Sequence, residues 1–218
     1  FNIEKEIRVI YNFVDFDHLK DWHDTDCIRA TLAKDDEKII SHISNFRPVK
    51  RIRDIITTFE KVQQKIRVKL ILVGEGPEKE AAVMYAKELG IKDKILFLGN
   101  SHEIKKILCY SDLFLLPSQT ESFGLAALEA MASRTPVIST NTGGLPEVNV
   151  QGVTGFLSDV GDCDEMAKNA IYILEDEQRL ENFKENAYRQ AQRFSIEKIL
   201  PQYEEVYETA LSGIQAVI

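Results

Sequence analysis

Residues 113–129 read LFLLPSQTESFGLAALE. The first four are apolar without interruption, the pattern of a short strand buried on both faces. Pro117 then breaks the run, and polar residues carry the chain to Ser122. From Phe123 the apolar positions fall at helical spacing, which predicts a helix over 123–133. Glu121 stands at the mouth of that helix and Glu129 roughly 9 Å farther along, six residues at about 1.5 Å each. Backbone N–H groups of Ser122, Phe123, Gly124 and Leu125 lack partners inside the helix, so they suit an anionic or hydroxylated ligand. Gly124 removes a side chain where a ligand would otherwise meet the backbone. A carboxylate at the positive end of a helix is favoured in its charged form, which makes Glu121 an acceptor of hydroxyl hydrogen bonds. Nothing nearby is expected to raise the pKa of Glu121 or Glu129, so a glycosidase acid and base pair is disfavoured. For Glu129 the plainer alternative is an exposed helix charge.

Outward from this unit the same grammar repeats. Strand candidates lie at residues 39–43, 70–73, 95–98, 113–116 and 136–139, with helical spacing over 51–64, 77–89, 103–110 and 123–133. Short apolar strands alternating with helices predict an α/β protein: a Rossmann-like parallel sheet with helices on both faces. The flanks differ. Residues 1–37 hold one strand-like run, 7–11, and a polar stretch at 15–26 without a period; they are expected to be a linker with an entering strand. Residues 38–193 form the expected sheet domain, whose end is helical at 163–175 and 177–193. A last helix over 196–211, within a separate terminal segment 194–218, carries Ile199, Tyr203, Val206, Tyr207 and Leu211 on one apolar face, which is expected to pack on something.

In an open parallel sheet, ligands bind beyond the carboxyl ends of the strands. Four loops there carry chemistry. Residues 44–50 (SNFRPVK) present Arg47 and Lys50, able to neutralise a diphosphate, against the alternative of a solvated basic helix start. Residues 73–77 (VGEGP) place Gly74 and Gly76 in a tight turn that also lines the cleft; Lys79 stands where a dinucleotide fingerprint needs its third glycine. The Glu121 loop is third. Residues 140–147 (TNTGGLPE) are fourth, with Gly143 and Gly144 permitting close backbone approach. His18, His23, His42 and His102 lack metal-ligand spacing, and His42 is expected to be packed inside a strand.

A net charge of −8 argues against a nucleic-acid partner, and the basic cluster Arg47, Lys50, Arg51, Arg53 is too small for a polymer. No apolar run is long enough for a transmembrane helix. Cys27, Cys109 and Cys163 are odd in number and widely spaced, which fits reduced thiols and a cytoplasmic setting. The sequence begins at Phe1 in a charged stretch, as expected of a piece of a longer chain.

ESFGLAALEAMA, preceded by DLFLLPS and followed by PVISTNTGGLPEV and GVTGFL, resembles the family-4 retaining glycosyltransferases over nearly the whole chain. That resemblance implies the C-terminal half of a GT-B fold, binding a nucleotide sugar opposite its own N-terminal acceptor domain, which this chain lacks. The last helix would cross back onto that domain. Glu121 would bind donor-sugar hydroxyls, with amides of Phe123 and Gly124 nearby. Glu129 would hold the ribose, Arg47 and Lys50 the diphosphate, and backbone near Leu98 to Asn100 the base. Many members have Gly-Arg after the first strand; here Ser44-Asn45 stands there, which leaves either Asn45 or Arg47 for the phosphate-binding position. HISNFRPVKRI with VGEGPE and FLGN is similar to the branch that passes N-acetylglucosamine from UDP-N-acetylglucosamine to L-malate, the start of bacillithiol synthesis. The family implies front-face attack, no cofactor and no essential metal. An isolated donor half is expected to be inactive, and homo-oligomerisation is left open. A nucleotide-sugar epimerase and a non-catalytic nucleotide-binding module remain the alternatives.

Overall fold

A computed structural model describes residues 7–17 and 29–215. Six parallel strands form one sheet: β1 (Lys38–Ile43), β2 (Val68–Val73), β3 (Ile95–Gly99), β4 (Leu113–Leu116), β5 (Val137–Thr140) and β6 (Gly155–Ser158), in the order β3-β2-β1-β4-β5-β6. Each strand alternates its side chains between two cores. Ile40, Leu70, Leu72, Leu113, Leu115 and Ile138 face one of them. There they meet α2 (Ile52–Gln63), α3 (Lys79–Glu88) and α7 (Cys163–Leu174). Phe114, Leu116 and Val137 point the other way, toward α5 (Leu125–Ala132), α6 (Leu145–Val148) and α8 (Glu177–Ala191). Ile39, Ile71 and Val73 share that second face with α1 (Arg29–Leu32) and α4 (Ile104–Tyr110). Helices on both faces of a parallel sheet are what the alternating pattern predicted.

Strand order reverses between β1 and β4, which are neighbours although β2 and β3 intervene in the chain. Chains leaving β1 and β4 therefore diverge to opposite faces and open a crevice between them, the place where such sheets take ligands.

Two features go beyond the local pattern. β6 is a strand that periodicity did not reveal: it has four residues, begins with glycine and lies at the sheet edge, with Phe156 and Leu157 only partly buried. The run 7–11 joins no ladder among the described residues, and its Ile7 and Val9 are exposed. Instead Val14 makes a single bridge to Ser195, through Val14 N–H to the Phe194 carbonyl at 2.9 Å and Ile196 N–H to the Val14 carbonyl at 3.0 Å. The final helix α9 (Ile196–Gln215) starts there. Of its expected apolar face, Ile199 is buried and Tyr203 meets the Phe13 ring and the Tyr11 carbonyl, while Val206, Tyr207 and Leu211 farther along are exposed. Of the polar stretch 15–26, residues 18–26 lie outside the described residues, as do His18, His23 and Cys27.

Candidate nucleotide-sugar site

Backbone hydrogen bonds sew the loops at the carboxyl edge into one surface. Ser44 N–H donates to Val73 O (3.1 Å), Phe46 N–H to Glu75 O (2.9 Å) and Glu78 N–H to Phe46 O (2.9 Å), joining the loops after β1 and β2. Gly74 N–H reaches Gly99 O at 2.7 Å, and Gln119 N–H reaches Val49 O at 2.8 Å. Gly144 N–H donates to Glu121 O at 3.1 Å, tying the loop after β5 to the loop after β4. The Thr140 hydroxyl bonds Ser118 O at 2.6 Å.

On this surface Lys50 meets Glu121. Lys50 closes a single 3₁₀ turn, Pro48–Lys50, and its Nζ lies 2.6 Å from Glu121 Oε2, with side chains 19% and 16% exposed. Ser118 Oγ donates a longer hydrogen bond to the same carboxylate oxygen at 3.4 Å. The pair spans the β1/β4 crevice.

The structure sorts the four clustered cations. Lys50 takes Glu121, Arg51 Nε takes Asp54 at 2.6 Å, and Arg53 lies over the Tyr85 ring at 4.3 Å. Arg47 is exposed and makes no ion pair among the described residues, and Asn45 beside it is exposed too. Both stay at the mouth of the crevice, on the same loop as Lys50.

Gly74, Gly76 and Gly124 have reasons for being glycine that the sequence hid. A Cβ on Gly74 would overlap the Ser44 carbonyl oxygen, and one on Gly76 would come within 2.7 Å of Phe46 backbone atoms. Gly124 has φ 94°, a conformation other residues avoid, and a Cβ there would come within 2.6 Å of Leu145 Cδ2. Gly74 and Gly76 are needed for loop-on-loop packing, and Gly124 for its left-handed turn beside Leu145. Gly143 and Gly144 do approach backbone closely, and what they approach is the Glu121–Ser122 segment: a Cβ on Gly143 would overlap Glu121 O.

α5 begins at Leu125, two residues later than predicted, because Gly124 turns left-handed before it. Glu121 therefore lies in the loop, and the helical rise used to space it from Glu129 does not apply. No side chain caps the helix, and its first N–H groups face the loop. Ser122 and Leu125 are exposed, while Phe123 is buried in an aromatic cluster, 6.0 Å from the Tyr11 ring and 5.7 Å from Phe194. Glu129 is exposed on α5, yet desolvation raises its pKa above the ordinary carboxylate value, with Lys105 pulling the other way. That corrects the expectation that nothing would raise it. Leu98 is half-buried at the end of β3 and Asn100 is exposed just beyond it.

His42 lies buried beneath the loops. Its Nδ1–H donates to Leu115 O at 2.8 Å, so Nε2 is left to accept from the Ser44 hydroxyl at 2.7 Å. Burial above all, with a smaller contribution from the Lys50 charge, holds its pKa down to about 4. It is a neutral packing residue that braces β1 against β4, as expected. The hydroxyls of Ser118, Thr140 and Thr142 were the residues sequence reading passed over; their only signal was their place at strand ends.

Among the described residues no group of His, Cys, Asp and Glu could hold a metal ion. The chain carries Asp-x-Asp at Asp15/Asp17, Asp24/Asp26 and Asp162/Asp164. Asp162 caps α7 by accepting from Glu165 N–H at 2.9 Å, and Asp164 pairs with Lys61 at 2.9 Å. Cys109 and Cys163 are free, with thiol pKa values raised chiefly by desolvation. No helix among the described residues is long and apolar enough to cross a membrane.

Residues 24–190 match the family model described as glycosyl transferases group 1. The chain belongs to that family. N-acetyl-alpha-D-glucosaminyl L-malate synthase of Bacillus anthracis is 42% identical to it over 208 residues, which cover 95% of this chain and 55% of that one. This group 1 glycosyltransferase thus spans about half the length of the curated relatives it matches. Among solved structures, HepE of Anabaena in complex with UDP superposes with a TM-score of 0.84 at 28% identity, covering 93% of this chain and 57% of that one. Sucrose-phosphate synthase of Thermosynechococcus elongatus gives 0.84 at 27%, covering 94% and 53%. The fold is thus that of GT-B glycosyltransferases, and the group 1 match agrees with the reading of ESFGLAALEAMA.

Proposed function

We propose that this chain is the donor half of a retaining glycosyltransferase that passes N-acetylglucosamine from UDP-N-acetylglucosamine to L-malate. The observation that carries it is the Lys50–Glu121 contact across the β1/β4 crevice, where a cation and a carboxylate share one mouth. The donor and acceptor are suggested by the Bacillus anthracis relative, whose name states N-acetylglucosaminyl transfer to L-malate.

In this reading Lys50, helped by the exposed charge of Arg47, faces the diphosphate; Glu121 and the amides of Ser122, Phe123, Gly124 and Leu125 face the hexose; and Glu129 faces the ribose. Gly74 and Gly76 shape the floor, and backbone at Leu98 to Asn100 borders the base. As the bond from the anomeric carbon to phosphate breaks, negative charge builds on the diphosphate. Fixed cations and helix N–H groups aimed there lower the transition state more than the ground state. Residues 1–37 and 194–218 serve as linker and crossover helix around the sheet domain 38–193. Their exposed Ile7, Val9, Tyr207 and Leu211 suit an N-terminal acceptor domain, and closure of the two halves limits hydrolysis.

The test is to incubate the full-length protein with UDP-N-acetylglucosamine and L-malate and follow the anomeric proton by NMR. An α-linked glycoside of malate is expected. Hydrolysis alone, or a 2-epimer formed from donor without acceptor, would overturn the reading in favour of a hydrolase or an epimerase.

A further inference from the structure

The two side chains given opposite ends of the donor hold each other. Lys50 Nζ and Glu121 Oε2 stand 2.6 Å apart, both mostly shielded from water. Beyond Lys50 and the 3.4 Å contact with the Ser118 hydroxyl, Glu121 has no side-chain partner among the described residues. Its backbone cannot retreat. The Glu121 carbonyl is held by Gly144 N–H at 3.1 Å, and Gly143 presses so near that a Cβ would overlap the same oxygen. Ser118, three residues earlier, is anchored through its carbonyl by the Thr140 hydroxyl. A carboxylate on so fixed a loop stays where it is when its cation moves.

We propose that this ion pair makes the site discriminate between a nucleoside diphosphate and a nucleotide sugar by exchanging partners. A diphosphate competes with Glu121 for the Lys50 ammonium. A ligand that brings only the diphosphate takes the cation and leaves a shielded carboxylate without its charge partner, which carries a penalty. A nucleotide sugar brings hydroxyl donors as well, and these replace the ammonium on Glu121 with charge-assisted hydrogen bonds. Bare UDP bears that penalty in full, while UDP-sugar offsets it. The same device favours release of UDP once the hexose has gone. This inference rests on the nucleotide-sugar reading above and adds the coupling between its two ends.

The experiment is a calorimetric double-mutant cycle on the full-length protein, titrating UDP and UDP-N-acetylglucosamine into wild type, Glu121→Gln, Lys50→Met and the double variant. Thermal melts of all four check folding; Glu121→Gln is isosteric, and Lys50→Met keeps an unbranched stem while removing the terminal ammonium. Glu121→Gln is expected to tighten UDP roughly two- to fivefold, the range for releasing a partly exposed ion pair. It should not tighten UDP-N-acetylglucosamine, so the preference for donor over UDP narrows. In the Lys50→Met background the UDP gain should vanish, because no cation remains to be freed. If Glu121→Gln leaves UDP affinity unchanged or weaker, the exchange is wrong. If the gain persists without Lys50, it is general relief of charge repulsion and the exchange is equally wrong. If wild type binds neither ligand, the failure belongs to the nucleotide-sugar reading itself.

Discussion

Two carboxylates near opposite ends of the sheet make an instructive pair. Asp112, before β4, is 7% exposed at its side chain and fully engaged: it accepts Ile39 N–H at 2.9 Å, Lys184 at 3.1 Å and Arg29 at 3.5 Å. Glu121, after β4, has Lys50 and a long contact to Ser118. Asp112 joins β1, β4 and α8 with partners on every side, as a buried charge must be if it is to be tolerated. Glu121 is rigidly placed through its backbone while its carboxylate keeps accepting capacity. One charge is spent on the fold; the other is held in place and left able to bind.

The difference can be tested by trading stability against activity. The largest effect should come from Lys50→Met: transfer by the full-length enzyme falls about 100- to 1000-fold, the scale for removing one transition-state donor. Its unfolding free energy should move by less than about 1 kcal/mol, since the pair is partly exposed. Retained turnover would erase the contrast with Asp112. Asp112→Ala should do the reverse, costing about 2–4 kcal/mol in urea unfolding by leaving the buried Ile39 N–H without its acceptor and taking from Lys184 the nearer of its two carboxylates, with UDP affinity unchanged. A folded Asp112→Ala protein that lost UDP binding would show that the two ends are not separate.

Gly143→Ala probes the brace behind Glu121. With φ 57° and no room beside the Glu121 carbonyl, the change should cost about 1–3 kcal/mol of stability and weaken UDP-N-acetylglucosamine more than UDP. Equal weakening of both ligands would detach Gly143 from the hexose end. The smallest effect concerns Glu129. Desolvation raises its pKa, so the folded protein holds that proton more firmly than the unfolded chain does. Stability is therefore favoured while the group is protonated and is lost as pH rises from the ordinary carboxylate value through the raised one. Glu129→Gln should be slightly more stable than wild type at pH 7 yet bind UDP about tenfold more weakly. Acidification should weaken UDP binding by wild type at a higher pH than an ordinary glutamate would, and this step should be absent from Glu129→Gln. A wild-type profile identical to that of the variant would remove Glu129 from the ribose.

Much of the fold was legible because it is written in local periodicity. Apolar runs such as 70–73 and 113–116 cannot be anything but buried, and the helix starting at Ile52 shows its buried face at Ile52, Ile55, Ile56 and Phe59. β6 was not legible, since an edge strand of four residues with a half-solvated face leaves no pattern to read. The run 7–11 is ambiguous for another reason: a strand needs a neighbour, and the sequence does not say what lies beside it. At the site, residue types were readable and partners were not. Gly124 and Gly143 look alike as letters; one makes room for Leu145 and the other for the Glu121 carbonyl.

By itself the sequence determined an alternating parallel α/β sheet, the loops that carry its chemistry and the membership that ESFGLAALEAMA announces, because each of these depends on residues close together in the chain. Only the tertiary structure decided which of Arg47, Lys50, Arg51 and Arg53 faces Glu121. Lys50 and Glu121 are 71 positions apart, and they meet because β1 pairs with β4 across a reversal in strand order. A pairing of that range is set by how the sheet is wound and packed, and no local pattern encodes it.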